Sequence, residues 1–236
     1  MGQPIYELGN GCSSAKDCTT YVGSKCVDNL CVVLNKMCGK AFDKISNDDI
    51  RMIFLNEHNQ LRGEVAQGKV KMSNGNMTRK AAKMRKLEYD CSLEMSAYRS
   101  AKSCEDTVGN TTVAENRKIL NKISADFGAS AESVVFYEWF FNEIGRNGYM
   151  IQETGSQNLF LPHLGIPHFA NIVWDSHEKI GCVVYPCMKK NITSVVCHYW
   201  PKGGVYGRTI YTMGPTCNQC KLISATCEDG LCVLSK

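Results

Sequence analysis

The sequence predicts an α+β protein: a three-layer α/β/α sandwich with a central antiparallel sheet, plus a small disulfide-rich module at each end. Three observations predict it. Fourteen cysteines fall into groups of four, six and four along 236 residues. Three segments repeat apolar residues every three or four positions, as one-sided helices do. Between residues 168 and 211, β-rich runs follow one another closely, so a few strands lie between helical segments that cover both faces.

Bulk properties narrow the class. A chain of this length with 44% hydrophobic residues can bury one substantial core. No apolar run approaches the roughly 18 residues of a membrane-crossing helix, and MGQPIYELGN at the start lacks the apolar stretch of a signal peptide. Fourteen cysteines without the histidine spacing of zinc modules indicate an oxidising, extracellular compartment. Sequons at Asn76, Asn110 and Asn191 point the same way. A net charge of +4, with no recognition helix or aromatic-basic platform, argues against a nucleic-acid partner.

The elements follow in order. Cys12, Cys18, Cys26 and Cys31 stand among small polar residues, a composition that holds shape through cross-links. CVDNLCV at 26–32 is echoed by CEDGLCV at 227–233, within the rear group Cys217, Cys220, Cys227 and Cys232. The remaining six, Cys38, Cys91, Cys104, Cys182, Cys187 and Cys197, belong to the body and permit 15 pairings. A first helix starts at Ser46 and Asp49 as a capping box and carries Ile50, Phe54, His58, Leu61 and Val65 inward until Gly68. The five positive charges of RKAAKMRK, 79–86, read as a solvated approach to a second helix, which Asp90 caps and whose apolar stripe is Leu93, Ala97, Ala101 and Cys104. Residues 130–145 form a third helix from Ser130, with Phe136, Phe140 and Glu143 on one face. The run 147–167 is a loop punctuated by Pro162, Gly165 and Pro167. Period-two alternation over His168–Trp174, then Ile180–Tyr185, reads as a β-hairpin, and SVVCHYWPKGG at 194–204 supplies a third strand.

Several of these stretches resemble the signatures of the CAP superfamily, the cysteine-rich secretory, antigen 5 and pathogenesis-related group, in its nematode venom allergen-like form. They are HNQLR at 58–62, LEYDCSLEMSAYRSAKSC at 87–104, AENR at 114–117, Phe140 to Glu143, HFANIVW with IGCVV, and SVVCHYW. Tyr89, Ala114, Pro167, Ala170, Asn171 and Gly204 depart from the usual pattern, and a turn needing positive φ at Ala114 would be strained. The resemblance implies an N-terminal cysteine-rich extension over 1–37, a CAP domain over 38–214 and a hinge-like module over 215–236. It also implies that His58, Glu115, Glu143 and His168 meet in one cleft able to hold zinc or another divalent cation.

For function, the resemblance implies a secreted protein that binds sterols or fatty acids and modulates host immunity, with host cell-surface proteins as further partners. The lipid would meet the loop residues Tyr149, Phe160, Leu161, Leu164 and Ile166, or a groove between helices carrying Ile50, Phe54, Val135 and Trp139. The alternatives are a metal-dependent hydrolase using the His/Glu cleft, or a receptor-binding scaffold. Hydrolysis has no motif support, since neither HExxH nor GxSxG occurs and the even cysteine count leaves no obvious thiol nucleophile.

Overall fold

The computed structural model describes residues 11–18, 25–32, 36–106 and 112–234. Helix α1, Asp48–Ala66, is capped by the side chain of Asn47, which accepts from the Ile50 N–H, so the start lies one residue beyond Ser46. Its stripe of Phe54, His58, Leu61 and Val65 is buried as the spacing predicts. Helix α2, Cys91–Ala101, is capped by Asp90 and buries Leu93, Ala97 and Ala101. Helix α3, Phe127–Ser133, starts under Asp126 rather than Ser130 and runs on without a break into a π-helical stretch, Val134–Asn147.

The sheet has the order β3-β5-β6-β4, with β3 Glu88–Tyr89, β4 Ala114–Leu120, β5 Lys179–Cys187 and β6 Ile192–Trp200. Strands β4, β5 and β6 are antiparallel, and the two-residue β3 joins the edge in parallel. One face packs on α1 and on α3 with its π-helical continuation, around Cys182, Val184, Val195, Cys197 and Tyr199. The other face buries Val183 and Val196 against Ala97 and Ala101 of α2. Gly181 is required here: a Cβ on it would stand 2.1 Å from the Glu94 backbone nitrogen, so only glycine lets α2 sit on β5. The two helix layers are tied by a buried fork, Arg51 Nε to Glu94 Oε2 at 2.7 Å and Nη2 to Oε1 at 2.9 Å.

One element differs in kind. The hairpin expected to open at His168 is not there; Pro167–Ile172 is a short helix, α4, and the hairpin is formed by β5 and β6. Pro167 at the first turn presets φ for a helix. Phe169 to Val173 are all buried, so alternation along this run never separated an inner face from an outer one. Ala114 lies in β4, outside the positive-φ residues, so the strain expected there does not arise.

The cysteines pair within the three groups read from the sequence. Cys38–Cys91, Cys104–Cys187 and Cys182–Cys197 clamp the body. Cys12–Cys26 and Cys18–Cys31 hold a front hairpin, β1 Lys25–Val27 with β2 Leu30–Val32. Cys217–Cys227 and Cys220–Cys232 hold a rear one, β7 Ala225–Glu228 with β8 Leu231–Leu234. Of the sequons, Asn76 and Asn191 are exposed, and Asn110 lies outside the described residues.

Candidate functional site

Two of the four expected cleft residues meet. His168 is the second residue of α4, and its Nδ1–H donates to Glu143 Oε1 at 2.6 Å. The other carboxylate oxygen of Glu143 accepts the Phe169 N–H at 2.7 Å. A glutamate of the π-helical stretch thus caps a helix that has no capping side chain of its own. The imidazole stacks on Trp139 with centroids 5.9 Å apart and planes 8° apart. The His168 side chain is 33% exposed and that of Glu143 12%. With Nδ1 committed to the carboxylate and the side chain partly exposed, Nε2 is the His168 nitrogen left for a ligand, the arrangement that orients a ligating histidine.

Glu115 stands on the other side of the sheet. Successive strand residues face opposite ways, so Asn116 points to the α4 face, donating to the His168 carbonyl and to Tyr199 Oη at 3.0 Å each. Glu115 points to α2. There its Oε2 accepts from His198 Nε2–H at 2.7 Å and Ser100 Oγ–H at 2.6 Å, and its Oε1 from Arg117 Nε at 3.0 Å. Burial pushes the Glu115 carboxyl up, but the bonds from His198, Ser100 and Arg117 outweigh it and hold it below its ordinary value.

His58 is also elsewhere. It is fully buried, its Nδ1–H donates to the Phe54 carbonyl at 2.7 Å, and its Nε2 accepts from Tyr199 O–H at 2.8 Å. Burial pushes its pKa down to about 3, with the Phe54 bond opposing and the Arg62 charge assisting. Both ring nitrogens are used, so no lone pair remains for a metal. The rest of HNQLR is stitching too. Asn59 exchanges hydrogen bonds with the Leu87 backbone in both directions. Buried Arg62 donates to the carbonyls of Arg85, Ile172 and Trp174, joining α1 to the end of α4.

A four-residue metal cleft is therefore not formed. Among the described residues the only three His, Cys, Asp or Glu ligand atoms within 4.8 Å of one another belong to Cys12, Cys18 and Cys31, and those thiols are in disulfides. Zinc held by three or four protein groups does not fit these side chains; His168 with Glu143 offers a two-residue foothold.

The lipid-loop expectation is corrected in part. Phe160, Leu164 and Ile166 are at most 4% exposed and Leu161 packs against the core, so most of the loop folds down over the body. Tyr149, 39% exposed, instead lines a groove of about 340 Å³ with Met72, Met77, Met150 and Ile151. Asn74, Asn76, Arg79, Gln152 and Glu153 form its polar side. The expected inter-helix residues Phe54, Val135 and Trp139 are buried core, with Ile50 packed against it. A groove of about 480 Å³ does lie between α1 and α3, but Glu57, Gln60, Glu132, Ser133, Phe136 and Tyr137 line it. Burial raises the Glu57 carboxyl, helped by Glu132 and Glu64, an environment that repels a fatty-acid carboxylate.

Asn116, Arg117, His198 and Tyr199 were not singled out from the sequence. The available signal was period two from Glu115, which puts Arg117 on its face, and the antiparallel register that sets His198 opposite. Ser96 Oγ stands 3.0 Å from His198 Nδ1, giving a Ser96–His198–Glu115 chain. His198 is 1% exposed and Ser96 sits mid-helix in α2, so these hydrogen bonds tie α2 to the sheet.

The family model for CAP, the cysteine-rich secretory protein family, matches residues 55–199. The chain belongs to the CAP family. It is 34% identical to the Ancylostoma secreted protein of Ancylostoma caninum over 98% of this chain and 56% of that protein. It is 31% identical to hookworm platelet inhibitor 1 of the same organism, over 78% and 80%. Among solved structures it superposes on Na-ASP-1 with a TM-score of 0.71 at 32% identity, covering 98% of this chain and 59% of that one. NaASP2 solved with Zn2+ gives 0.71 at 30%, covering 83% and 99%. The chain thus spans a little over half the length of the Ancylostoma protein and of Na-ASP-1. Kinship and fold place it with the nematode venom allergen-like CAP proteins. No described helix is long and apolar enough to cross a membrane.

Proposed function

We propose that this chain is an extracellular, non-enzymatic CAP protein that binds an amphipathic lipid with an acidic head group, a fatty acid before a neutral sterol. The observation that supports it is the groove between Met72, Met77, Tyr149, Met150 and Ile151, which sets Arg79 beside apolar side chains. Methionines adapt to varied apolar shapes, and an arginine fork matches a carboxylate. Its volume lies in the range of small-molecule sites. The groove between α1 and α3 is acidic and suits such a head group poorly. Seven disulfides fit the extracellular setting.

The test is displacement of a fluorescent fatty acid. Met77→Asp and Arg79→Ala should each weaken binding about tenfold, a loss of about 1.4 kcal/mol. A sterol without a charged group should not respond to Arg79→Ala. Unchanged affinity in both variants, with the fold intact, would remove the groove from consideration.

A second reading is contact with a host cell-surface protein. It is supported by exposed Tyr137 and Phe141 on the π-helical stretch, with Phe136 stacked on Phe141 and Arg146 over the Phe141 ring at 4.9 Å. Aromatic and arginine side chains of this kind are enriched in protein interfaces. Similarity to a protein named hookworm platelet inhibitor 1 supports a host-directed role, and immune modulation would be one outcome of such contact. A divalent cation, where one binds, would be held by His168 with Glu143.

A further inference from the structure

Two of the three Asn-X-Thr triplets in the sequence, Asn76-Met77-Thr78 and Asn191-Ile192-Thr193, lie within the described residues. The fold accounts for the second. Asn191 takes the left-handed conformation at φ 52°, which asparagine tolerates better than most side chains. Thr193 is buried with its hydroxyl donating to the Lys122 carbonyl at 2.9 Å and accepting the Ser124 N–H at 2.8 Å. Both side chains have a structural task.

The first triplet is different. Thr78 is 3% exposed, yet its Oγ1 is buried without a hydrogen-bond partner. A buried hydroxyl that bonds to nothing costs stability, and valine, close to it in shape, would avoid that cost. Asn76 is exposed, and among the described residues its side chain makes no hydrogen bond. Its backbone is fixed instead: the carbonyl accepts the Met72 N–H at 2.8 Å and the N–H donates to Asn74 Oδ1 at 3.1 Å. The turn is pinned on both sides by Gly75 N–H to the Met72 carbonyl at 2.9 Å and Thr78 N–H to the Val70 carbonyl at 2.8 Å. Gly75 supplies the positive φ of 86° that it needs. Asn76 is thereby set among the residues lining the methionine groove, beside Met77, which is 50% exposed, and Tyr149.

We propose that Asn76 carries an N-linked glycan and that this glycan covers the groove of Met72, Met77, Tyr149 and Met150. The Thr78 hydroxyl then has its task before folding, as the third-position hydroxyl of the acceptor triplet, and is buried without a partner only afterwards. The donor is an oligosaccharide on a polyprenyl pyrophosphate. Asn76 Nδ2 bonds to its anomeric carbon, the C–O bond to pyrophosphate breaks, pyrophosphate leaves with the electron pair, and one amide proton is released. Because Thr78 is inaccessible in the fold, attachment precedes closure of residues 70–78. Sugar rings present C–H faces and hydroxyls together, which match Met77 and Tyr149 on one side of the groove and Asn74 and Gln152 on the other. Attachment stands without the lipid reading, whereas control of ligand entry rests on it.

The full chain is secreted from insect cells behind a heterologous signal sequence, as wild type, Thr78→Ser and Thr78→Val. Enzymatic glycan release in heavy-oxygen water, followed by peptide mapping, should mark Asn76 in wild type and Thr78→Ser and leave it unmarked in Thr78→Val. Thr78→Val should melt no lower than deglycosylated wild type, since no bond is lost. Hydrogen peroxide should oxidise Met77 about threefold more slowly in the glycosylated chain than in Thr78→Val. A fluorescent fatty acid should likewise associate about threefold more slowly. Where Thr78→Val does not fold, Thr78→Ala carries the same comparison. Secreted wild type with Asn76 bare overturns the proposal, as does a glycosylated chain whose Met77 oxidises as fast as in Thr78→Val. Protected Met77 in a chain that binds no fatty acid in any form supports the glycan cover and overturns the lipid reading instead.

Discussion

Two histidine–glutamate pairs, built from the same functional groups at nearly the same distance, serve different ends on the two sides of one sheet. His198–Glu115 closes at 2.7 Å with side chains 1% and 0% exposed, and Arg117 and Ser100 saturate the carboxylate. His168–Glu143 closes at 2.6 Å with 33% and 12% exposed, and its remaining bond caps a helix. A pair whose every lone pair and proton is used inside the protein can only hold the fold. A pair that leaves one imidazole nitrogen toward solvent can meet a ligand. Burial and partner count, not residue type, separate structure from site here.

Breaking the buried pair should have the largest effect. Glu115→Ala strands Arg117 and His198 in the interior and should lose about 3–5 kcal/mol, read as a shift of the urea midpoint at unchanged slope. Glu143→Ala removes a partly exposed cap and should lose only about 1 kcal/mol. Equal losses would erase the distinction.

Acid sensitivity sharpens it next. His58 and His177 are both fully buried, and burial pushes both down to about 3. The unfolded chain takes up these protons near pH 6.5 and the folded chain does not, so stability is complete above that value and falls as pH drops toward 3. Each histidine should remove about 1.4 kcal/mol per pH unit in that window. His58→Gln should roughly halve the slope of stability against pH between 6.5 and 5. Glu115 has the reverse sign: its carboxyl is held below the ordinary value, so the stability it contributes is present above that value and lost as pH falls through the folded one. Glu115→Gln should therefore flatten the limb below about pH 4.

The smallest effect concerns ligation. If a divalent cation binds the exposed pair, His168→Ala should abolish Zn2+ uptake measured by calorimetry while leaving the melting temperature within a few degrees. His58→Ala should do the opposite, keeping uptake and losing stability. Uptake that survives His168→Ala would place the cation elsewhere.

Much of the fold was legible because its signals are local. Helical stripes, the Asp90 cap, β5 and β6, and the four-six-four grouping of cysteines all follow from spacing and composition. The run at 168–174 misled because a short helix whose residues are all buried from Phe169 onward shows no helical period, and its cap comes from Glu143, 26 residues before the Phe169 N–H it accepts. The candidate site was legible by half. HNQLR was read as offering a ligand, yet His58, Asn59 and Arg62 all turn inward to carbonyls and Tyr199, partners that no spacing reveals. His198 and Arg117 follow from strand period and register, but only once the pairing of β4 with β6 is known.

The sequence by itself determined the class of fold, the grouping of the cysteines and which helix faces turn inward, because those follow from spacing and composition along the chain. Which histidine meets which carboxylate, and why Leu231 of the rear hairpin is buried while Leu30 of the front one is exposed, was decided by the tertiary structure. Register across the sheet brings together groups 83 residues apart and the docking of the rear hairpin groups 162 apart, and burial then fixes whether each proton and lone pair is already spent.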